Sequence, residues 1–385
     1  MTDNQVTTDW KIPLYKIYTD DEDVNLITKI IKRGTQWAIG PEIEEFENAI
    51  KNYVGCDFCL TLNSGTSALH ATFLAYGFDK NDEIIVPSFS FISTANATLF
   101  VQAKPVFADI EETNFGLDVK SVSSKITPKT KAVVPIDYGG LPCRILEIEK
   151  VCRDNKLVLV EDAAESLGSS INGKKIGAIA ESSIFSFCGN KVLTTGEGGA
   201  VVTNSRNIYE RIKSIRSHGR VDSTRYFDNA SESQYHELGY NWRMSTMTAA
   251  LGISQIGKLD KIIKMRQEIA KYITDRISKH KEVRTPNTPY GYNHIYQMYT
   301  IRLSNKNIRD SLHEFLVGKR IFSKVYFTPI HLAKLYSDKF GTKKGMLPIT
   351  ENISGQVLTL PLYPNMTMEE KQYLVESIDE FFEAK

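Results

Sequence analysis

Short apolar runs that alternate with helical patterns are the feature that most constrains the fold of this chain. Strand-like runs recur at residues 58–62, 83–86, 105–109, 132–136 and 157–161, and helical patterns separate them. Strands that are apolar on both faces and joined by helices are typical of a mostly parallel sheet covered by helices on both sides. Because ligands of such sheets bind in loops at the carboxyl ends of the strands, we expect the functional residues there.

Beyond about residue 245 the pattern changes. A long charged helical stretch at residues 259–280 is followed by further strand-like runs, among them residues 322–326. The sequence therefore predicts two domains, a large one at residues 1–245 and a smaller α+β domain at residues 246–385.

The charge balance and the apolar runs exclude several classes of protein. Lys and Arg number 47 against 46 Asp and Glu, and a net charge of +1 argues against a protein that mainly clamps nucleic acid. The apolar runs are far shorter than the ~20 residues that span a bilayer. No signal-peptide pattern is present, so we expect a cytoplasmic protein without a membrane partner. Five scattered cysteines without a second ligand pair predict reduced thiols and no metal site.

A turn of small residues follows the first strand-like run. Ser64, Gly65 and Thr66 lie between that strand and a predicted helix. Glycine lets the backbone approach a ligand, and N–H groups at a helix start point at an anion, so this turn can hold a phosphate. An ordinary helix cap is the simpler alternative.

An apolar strand then ends in acidic residues. Glu161, Asp162 and Glu165 follow residues 157–160. A carboxylate at this position can hold a charged heterocycle nitrogen or a metal ion, although Asp162 can also simply cap a helix.

Lys191 lies in a glycine-rich loop between two short apolar strands, the first of which contains Ser186. Most lysines are solvated surface charges. A sheet would bury the strands on either side of this one, and a desolvated lysine loses its charge more readily and becomes a nucleophile toward carbonyl groups. A polar and aromatic loop that contains Asn241 is the last segment of this kind.

Together these segments resemble the DegT/DnrJ/EryC1/StrS family of pyridoxal-phosphate-dependent sugar aminotransferases. The resemblance implies an α/β fold-type I transferase and a homodimer with shared active sites. Its large domain would have a mostly parallel seven-stranded sheet between helices, beside a smaller α+β C-terminal domain. The matching residues occur in the family's order: Ser64-Gly65-Thr66, Glu161-Asp162-Ala163-Ala164-Glu165, Phe185-Ser186-Phe187, Lys191, Thr194-Thr195-Gly196-Glu197-Gly198-Gly199 and Gly239-Tyr240-Asn241.

The resemblance also implies a role for each site residue. Lys191 would bind the aldehyde of pyridoxal phosphate as an imine and move protons, with pyridoxamine phosphate as the intermediate form. Asp162 would keep the ring nitrogen protonated. Glu165 would lie near the phenolic oxygen or the reacting carbon. The other expected cofactor contacts are Gly65, Thr66 and Ser186 at the phosphate, Phe91 stacked on the ring, and Asn241 at the phosphate of the neighbouring subunit.

The activity implied by the resemblance is transfer of an amino group from glutamate to the keto carbon of a nucleotide-linked 4-keto-6-deoxyhexose. Gly189-Asn190-Lys191 together with Glu165 resembles relatives that aminate C4, and a lysine rather than a histidine at position 191 favours transamination over dehydration. The alternatives are an aminotransferase specific for C3 or for a cyclitol, and a non-catalytic regulatory protein of the same fold. His331 matches a family position near the sugar nucleotide, where it would contact substrate or simply pack.

Overall fold

The structure, a computed structural model, describes residues 9–220 and 234–384. The helices are α1 (Asp21–Arg33), α2 (Pro41–Val54), α3 (Gly65–Tyr76), α4 (Ser93–Phe100), α5 (Val119–Lys125), α6 (Ile145–Asp154), α7 (Arg206–Ile215), α8 (Thr246–Gly257), α9 (Leu259–Ile277), α10 (Lys306–Gly318), α11 (Lys334–Phe340), α12 (Pro348–Gln356) and α13 (Met368–Glu383). The strands are β1 (Phe58–Leu62), β2 (Glu83–Pro87), β3 (Lys104–Ala108), β4 (Thr130–Val133), β5 (Val158–Asp162), β6 (Ser170–Ile171), β7 (Lys174–Lys175), β8 (Ser182–Ser186), β9 (Gly199–Thr203), β10 (Val283–Arg284), β11 (Tyr292–Asn293), β12 (Tyr299–Leu303) and β13 (Val357–Leu360).

Local sequence signals set the ends of the first helices. Asp20 caps α1, and its side chain forms a capping box with Asp23. Gly34 ends α1 in the left-handed conformation with a φ of 72°, as the sequence predicts. The next helix, α2, begins at Pro41, where the missing N–H group costs nothing, and buries Phe46 against the sheet.

A seven-stranded sheet in the order β1-β9-β8-β5-β4-β2-β3 forms the centre of the larger unit. All of its strands run parallel except β9, which is antiparallel to both of its neighbours, β1 and β8. Hydrophobic clusters cover both faces of the sheet. The predicted fold class, a mostly parallel sheet between helices, is confirmed.

The C-terminal part contains a three-stranded antiparallel sheet in the order β10-β12-β13. The second half of α9, together with α10 and α13, packs on this sheet around a separate hydrophobic cluster that includes Ile273, Tyr299 and Leu358. By contrast, α8 and the start of α9 pack with the larger unit through Ala249 and Leu259. The predicted domain boundary at residues 245 and 246 stays a prediction.

Some predicted elements differ from the structure. Residues 322–326 do not form a strand, because only an isolated bridge joins Lys324 to Thr359. The strand β13, which pairs with β12, was not predicted from the sequence. The predicted helix at residues 259–280 ends at Ile277. In the described part of the chain, no helix is both long and apolar enough to cross a membrane.

Candidate active site

The carboxyl ends of several strands bring polar residues to one edge of the central sheet. Asp162 ends β5 and Ser186 ends the neighbouring parallel strand β8. Gly65 begins α3 directly after β1, and Lys191 lies in the loop between β8 and β9. Because parallel strands end on the same side, residues far apart in the sequence converge there.

The side chain of Lys191 is held against a carboxylate. Its Nζ donates a hydrogen bond to Glu165 Oε1 at 3.3 Å, and only 13% of the lysine side chain is exposed. The second oxygen of Glu165 accepts a hydrogen bond from the Gly139 N–H at 2.8 Å. The amine, which is largely shielded from solvent, is therefore held by a carboxylate that is itself hydrogen-bonded to the backbone.

Asp162 is a buried acid, 3% exposed, with two neutral donors. It accepts hydrogen bonds from Thr94 Oγ1 at 2.6 Å and from the Ala164 N–H at 3.3 Å. Burial raises the pKa of Asp162, while the Thr94 and Ala164 hydrogen bonds and the nearby Lys191 charge oppose this rise. No cationic side chain within the described ranges forms an ion pair with Asp162, so a bound heterocycle with a protonated nitrogen would supply the missing positive charge.

A small cup lies at the N-terminus of α3. Ser64 caps the helix by accepting a hydrogen bond from the Ser67 N–H at 3.1 Å. A Cβ atom added to Gly65 would lie 3.0 Å from Ser186 Cβ, so the close approach of the turn to β8 requires glycine. Thr66 Oγ1 forms a hydrogen bond with Ser93 at 2.8 Å. Backbone N–H groups and hydroxyls at a helix start fit a phosphate group.

Phe91 precedes α4 and has 60% of its surface exposed, whereas Phe89 is fully buried. The Phe91 carbonyl accepts a hydrogen bond from the Thr94 N–H at 3.2 Å. An exposed aromatic side chain therefore lies one turn away from the hydroxyl that binds Asp162, which fits a stacking surface for a ring held at that acid.

Asn241 has an exposed side chain. Its backbone pairs with Ser217, and its carbonyl accepts a hydrogen bond from Asn63 at 3.5 Å. Because no hydrogen bond of the Asn241 side chain is seen in the described part of the chain, its expected role toward a second subunit stays a prediction.

His331 is fully buried, as the packing alternative expects, and its place near a sugar nucleotide stays a prediction. Its Nδ1 forms a hydrogen bond with Ser88 Oγ at 2.6 Å, and its Nε2 forms one with Glu351 Oε1 at 3.1 Å. Both ring nitrogens are thus used to join the end of β2 to α12.

Thr94 and Gly139, which hold Asp162 and Glu165 respectively, were not predicted as site residues. The available signal for Thr94 was its position at the start of a helix that begins at the functional edge of the sheet. Within the residues described, no group of three or more His, Cys, Asp or Glu side chains could hold a metal ion.

Comparison with known proteins agrees with this geometry. The family model described as the DegT/DnrJ/EryC1/StrS aminotransferase family matches residues 18–379. GDP-perosamine synthase of Escherichia coli O157:H7 is 32% identical over 378 residues, which cover 97% of this chain and 99% of that protein. UDP-4-amino-4,6-dideoxy-N-acetyl-beta-L-altrosamine transaminase of Helicobacter pylori is 32% identical over 375 residues, which cover 95% and 96%.

Solved structures have the same fold. The aminotransferase PseC of Helicobacter pylori, involved in the biosynthesis of pseudaminic acid, superposes with a TM-score of 0.91 at 29% identity, covering 97% of this chain and all of that one. NtdA of Bacillus subtilis, solved with the bound cofactor PMP, superposes with a TM-score of 0.85 at 25% identity, covering 95% of this chain and 83% of that one.

Proposed function

Since this chain belongs to the DegT/DnrJ/EryC1/StrS aminotransferase family, we propose that it moves an amino group from glutamate to C4 of a nucleotide-linked 4-keto-6-deoxyhexose. Its family and its relatives make it a pyridoxal-phosphate-dependent sugar aminotransferase. The amino donor, the sugar and the carbon that receives the amino group are the parts that need testing.

The observation that carries the proposal is the placement of three different groups at one edge of the sheet. Lys191 offers an amine to a carbonyl group, Asp162 offers a buried negative charge, and the start of α3 at Gly65 offers phosphate donors. These suit the aldehyde, the ring nitrogen and the phosphate of pyridoxal phosphate. When bound, that cofactor supplies an electron sink for the electron pair released at a substrate carbon.

Each residue of the site has a defined task in this reaction. The amine of Lys191 removes the proton from the α-carbon of the amino donor, and later returns a proton to the sugar carbon that receives the amino group. Glu165 accepts a hydrogen bond from that amine and keeps it oriented. Asp162 would hold its negative charge next to the protonated ring nitrogen, because the opposite charge favours the ionised carboxylate and the Thr94 hydroxyl donates to it. The overall exchange converts glutamate and the keto sugar to 2-oxoglutarate and the amino sugar.

Two features support C4 as the position of transfer. One relative is named for a UDP-4-amino sugar, and another is a GDP-perosamine synthase. The Gly189-Asn190-Lys191 sequence together with Glu165 also resembles relatives that aminate C4. With glutamate as donor, a panel of nucleotide-linked 3-keto and 4-keto sugars and a cyclitol ketone should give product only with 4-keto sugars. Conversion of the cyclitol ketone alone would overturn the sugar assignment.

The replacement Lys191→Ala tests the central residue. We expect it to abolish the near-visible absorbance of the protein loaded with pyridoxal phosphate and to lower turnover by at least about 10³-fold, because the amine that binds the carbonyl and moves the protons is lost. Lys175→Ala is a matched control, since Lys175 is also partly buried but contacts Tyr53 and Gly168 instead. An unchanged spectrum and unchanged turnover in Lys191→Ala would refute the assignment.

We also propose that the protein is a homodimer in which Asn241 serves the partner's phosphate site. Tyr235 and Leu238, a few residues before Asn241 in the sequence, have 60% and 82% of their surfaces exposed, which supports a contact surface in this region. Asn241→Ala should weaken retention of pyridoxal phosphate. At a pyridoxal phosphate concentration too low to load Asn241→Ala, mixing these chains with Lys191→Ala chains should give about one quarter of wild-type activity, because half of the dimers are mixed and each mixed dimer has one intact site. No recovery after verified subunit exchange would contradict shared sites.

A further inference from the structure

One side chain from the C-terminal half holds the backbone on both sides of Lys191. Gln297 is 5% exposed and lies in the short segment between β11 and β12. Its Oε1 accepts a hydrogen bond from the Val192 N–H at 2.7 Å, and its Nε2 donates one to the Asn190 carbonyl at 2.7 Å. The amide thus fixes the residues immediately before and after the lysine.

A buried arginine fixes Gln297 in turn. Arg266 of α9 is 4% exposed and donates to the carbonyl of Gln297 at 2.9 Å and to that of Tyr296 at 2.8 Å. In the described ranges no carboxylate forms an ion pair with Arg266, and burial lowers the pKa of its guanidinium to about 9. A planar guanidinium bound to two successive carbonyls leaves the segment little freedom to shift.

The same segment also fixes Glu165 through its backbone. The Met298 N–H donates to the Gly139 carbonyl at 3.1 Å, and the Ile295 N–H donates to the Gly140 carbonyl at 3.2 Å. The Gly139 N–H in turn donates to Glu165 Oε2. Residues 295–298 are therefore bonded both to the loop that carries Lys191 and to the turn that holds its carboxylate partner.

We propose that Gln297 is a positioning residue that sets the placement of the Lys191 amine relative to Glu165. The inference rests on the proposed function, in which Lys191 moves the protons. The lysine side chain is long and flexible, so its reach toward a reacting carbon depends on where its backbone is held. A displacement of about 1 Å at a reacting group can cost about 10²-fold in rate.

The replacement Gln297→Met tests this proposal, because methionine has a similar length but makes neither hydrogen bond. Gln267→Met is a matched control: Gln267, a partly buried glutamine of α9, binds Asn293 and the carbonyl of His294, but it does not touch the Lys191 loop. We expect Gln297→Met to lower kcat by about 10-fold or more, with KM for the amino donor changed by less than about 3-fold. The control should leave both near the wild-type values.

Hydrogen exchange gives a second readout that does not depend on activity. In the protein freed of pyridoxal phosphate, Gln297→Met should speed amide exchange in a peptide covering residues 188–196 by about 10-fold or more, because the Val192 N–H loses its acceptor. Gln267→Met should leave exchange in that peptide unchanged.

A conservative variant keeps the test decisive if Gln297→Met folds poorly. Gln297→Glu retains an acceptor for the Val192 N–H but places a carboxylate oxygen opposite the Asn190 carbonyl. When protonated, the glutamate can donate to that carbonyl, so we expect its kcat relative to wild type to rise as the pH is lowered.

Three results would overturn the positioning role. In Gln297→Met, the amides of residues 188–196 would exchange as slowly as in the wild type, or Gln267→Met would lose as much kcat as Gln297→Met. In Gln297→Glu, the ratio of its kcat to the wild-type kcat would not change with pH. If the wild-type protein turns over no keto substrate, the proposed function fails instead. Exchange in the cofactor-free protein still decides whether Gln297 holds the loop.

Discussion

Asp162→Asn should have opposite effects on the stability of the protein and on its affinity for pyridoxal phosphate. Burial raises the pKa of Asp162 above its ordinary value of 3.8, which means that the ionised carboxylate is less favourable in the folded chain than in the unfolded one. Such an acid supports folding below its ordinary pKa, and this support is lost as the pH rises through its folded-state pKa. At pH 7 a neutral asparagine removes that cost, so the cofactor-free variant should melt at a higher temperature than the wild type.

The same replacement removes the charge that would face the ring nitrogen. Removing one partner of a buried charge pair costs about 3–5 kcal/mol. At about 1.4 kcal/mol per tenfold, affinity for pyridoxal phosphate should fall by about 10²- to 10⁴-fold. The hydroxyl of Thr94, which lies 2.6 Å from Asp162 Oδ2, can still donate to the asparagine oxygen, and the hydrogen bond that is lost is the long one from the Ala164 N–H at 3.3 Å, so the loss of affinity comes mainly from the charge.

Thermal melts of the cofactor-free protein and absorbance titrations with pyridoxal phosphate, both at pH 7, measure the two effects. Asp260→Asn is a suitable control because Asp260 accepts a hydrogen bond from Tyr53 at 2.5 Å, outside the site. That control should keep wild-type affinity. The reasoning is refuted if Asp162→Asn binds the cofactor as tightly as the wild type does, or if it melts at a lower temperature than the wild type.

The remaining predictions concern a second buried acid and the phosphate cup. Burial and the charge of Asp137 raise the pKa of Glu161 from 4.5 to about 8, so wild-type stability should fall between those pH values, by at most about 1.4 kcal/mol per pH unit. In urea unfolding, the free energy of unfolding of Glu161→Gln relative to that of the wild type should therefore increase as the pH is raised from 5 to 8. A difference that stays constant over this range would contradict the prediction. Gly65→Ala places a Cβ 3.0 Å from Ser186 Cβ, so affinity for pyridoxal phosphate should fall about 10-fold or more while the fold persists. If Gly65→Ala binds pyridoxal phosphate with wild-type affinity in an absorbance titration, Gly65 is not part of the phosphate site.

The central sheet could be predicted because most of its strands contain a short apolar run, although β8 has only Ile184 and Phe185 between serines. In contrast, α8 was missed because it is built largely of small residues and shows no amphipathic pattern. Its position depends on tertiary contacts: a Cβ on Gly252 would lie 2.4 Å from the ring of Phe46 in α2. The false strand at residues 322–326 has a suitable composition, but it forms no ladder, since only Lys324 pairs with the edge strand β13, at Thr359.

The convergence of Asp162 and Lys191 at one edge of the sheet could be expected from the sequence, because Asp162 ends a strand and Lys191 lies in the loop after the neighbouring one. A motif gives a position in the chain but not the direction of a side chain, so the sequence alone left open whether His331 contacts substrate or packs in the core, where it is found. Thr94 and Gln297 depend on which elements become neighbours in the fold. The segment around Gln297 has a strand-like sequence, and only its docking against the Lys191 loop shows what its amide does.

Glu161 and Asp162 are successive residues of β5, so the alternation of a strand places their side chains on opposite faces. Asp162 contacts Thr94, whereas Glu161 accepts hydrogen bonds from Ser183 and Gly177. The two acids still interact electrostatically, because the charge of Asp162 contributes to the raised pKa of Glu161. A cation bound at Asp162 offsets that charge and eases ionisation of Glu161. The stability gained from Glu161→Gln at pH 8 should therefore be smaller in the loaded protein than in the cofactor-free one.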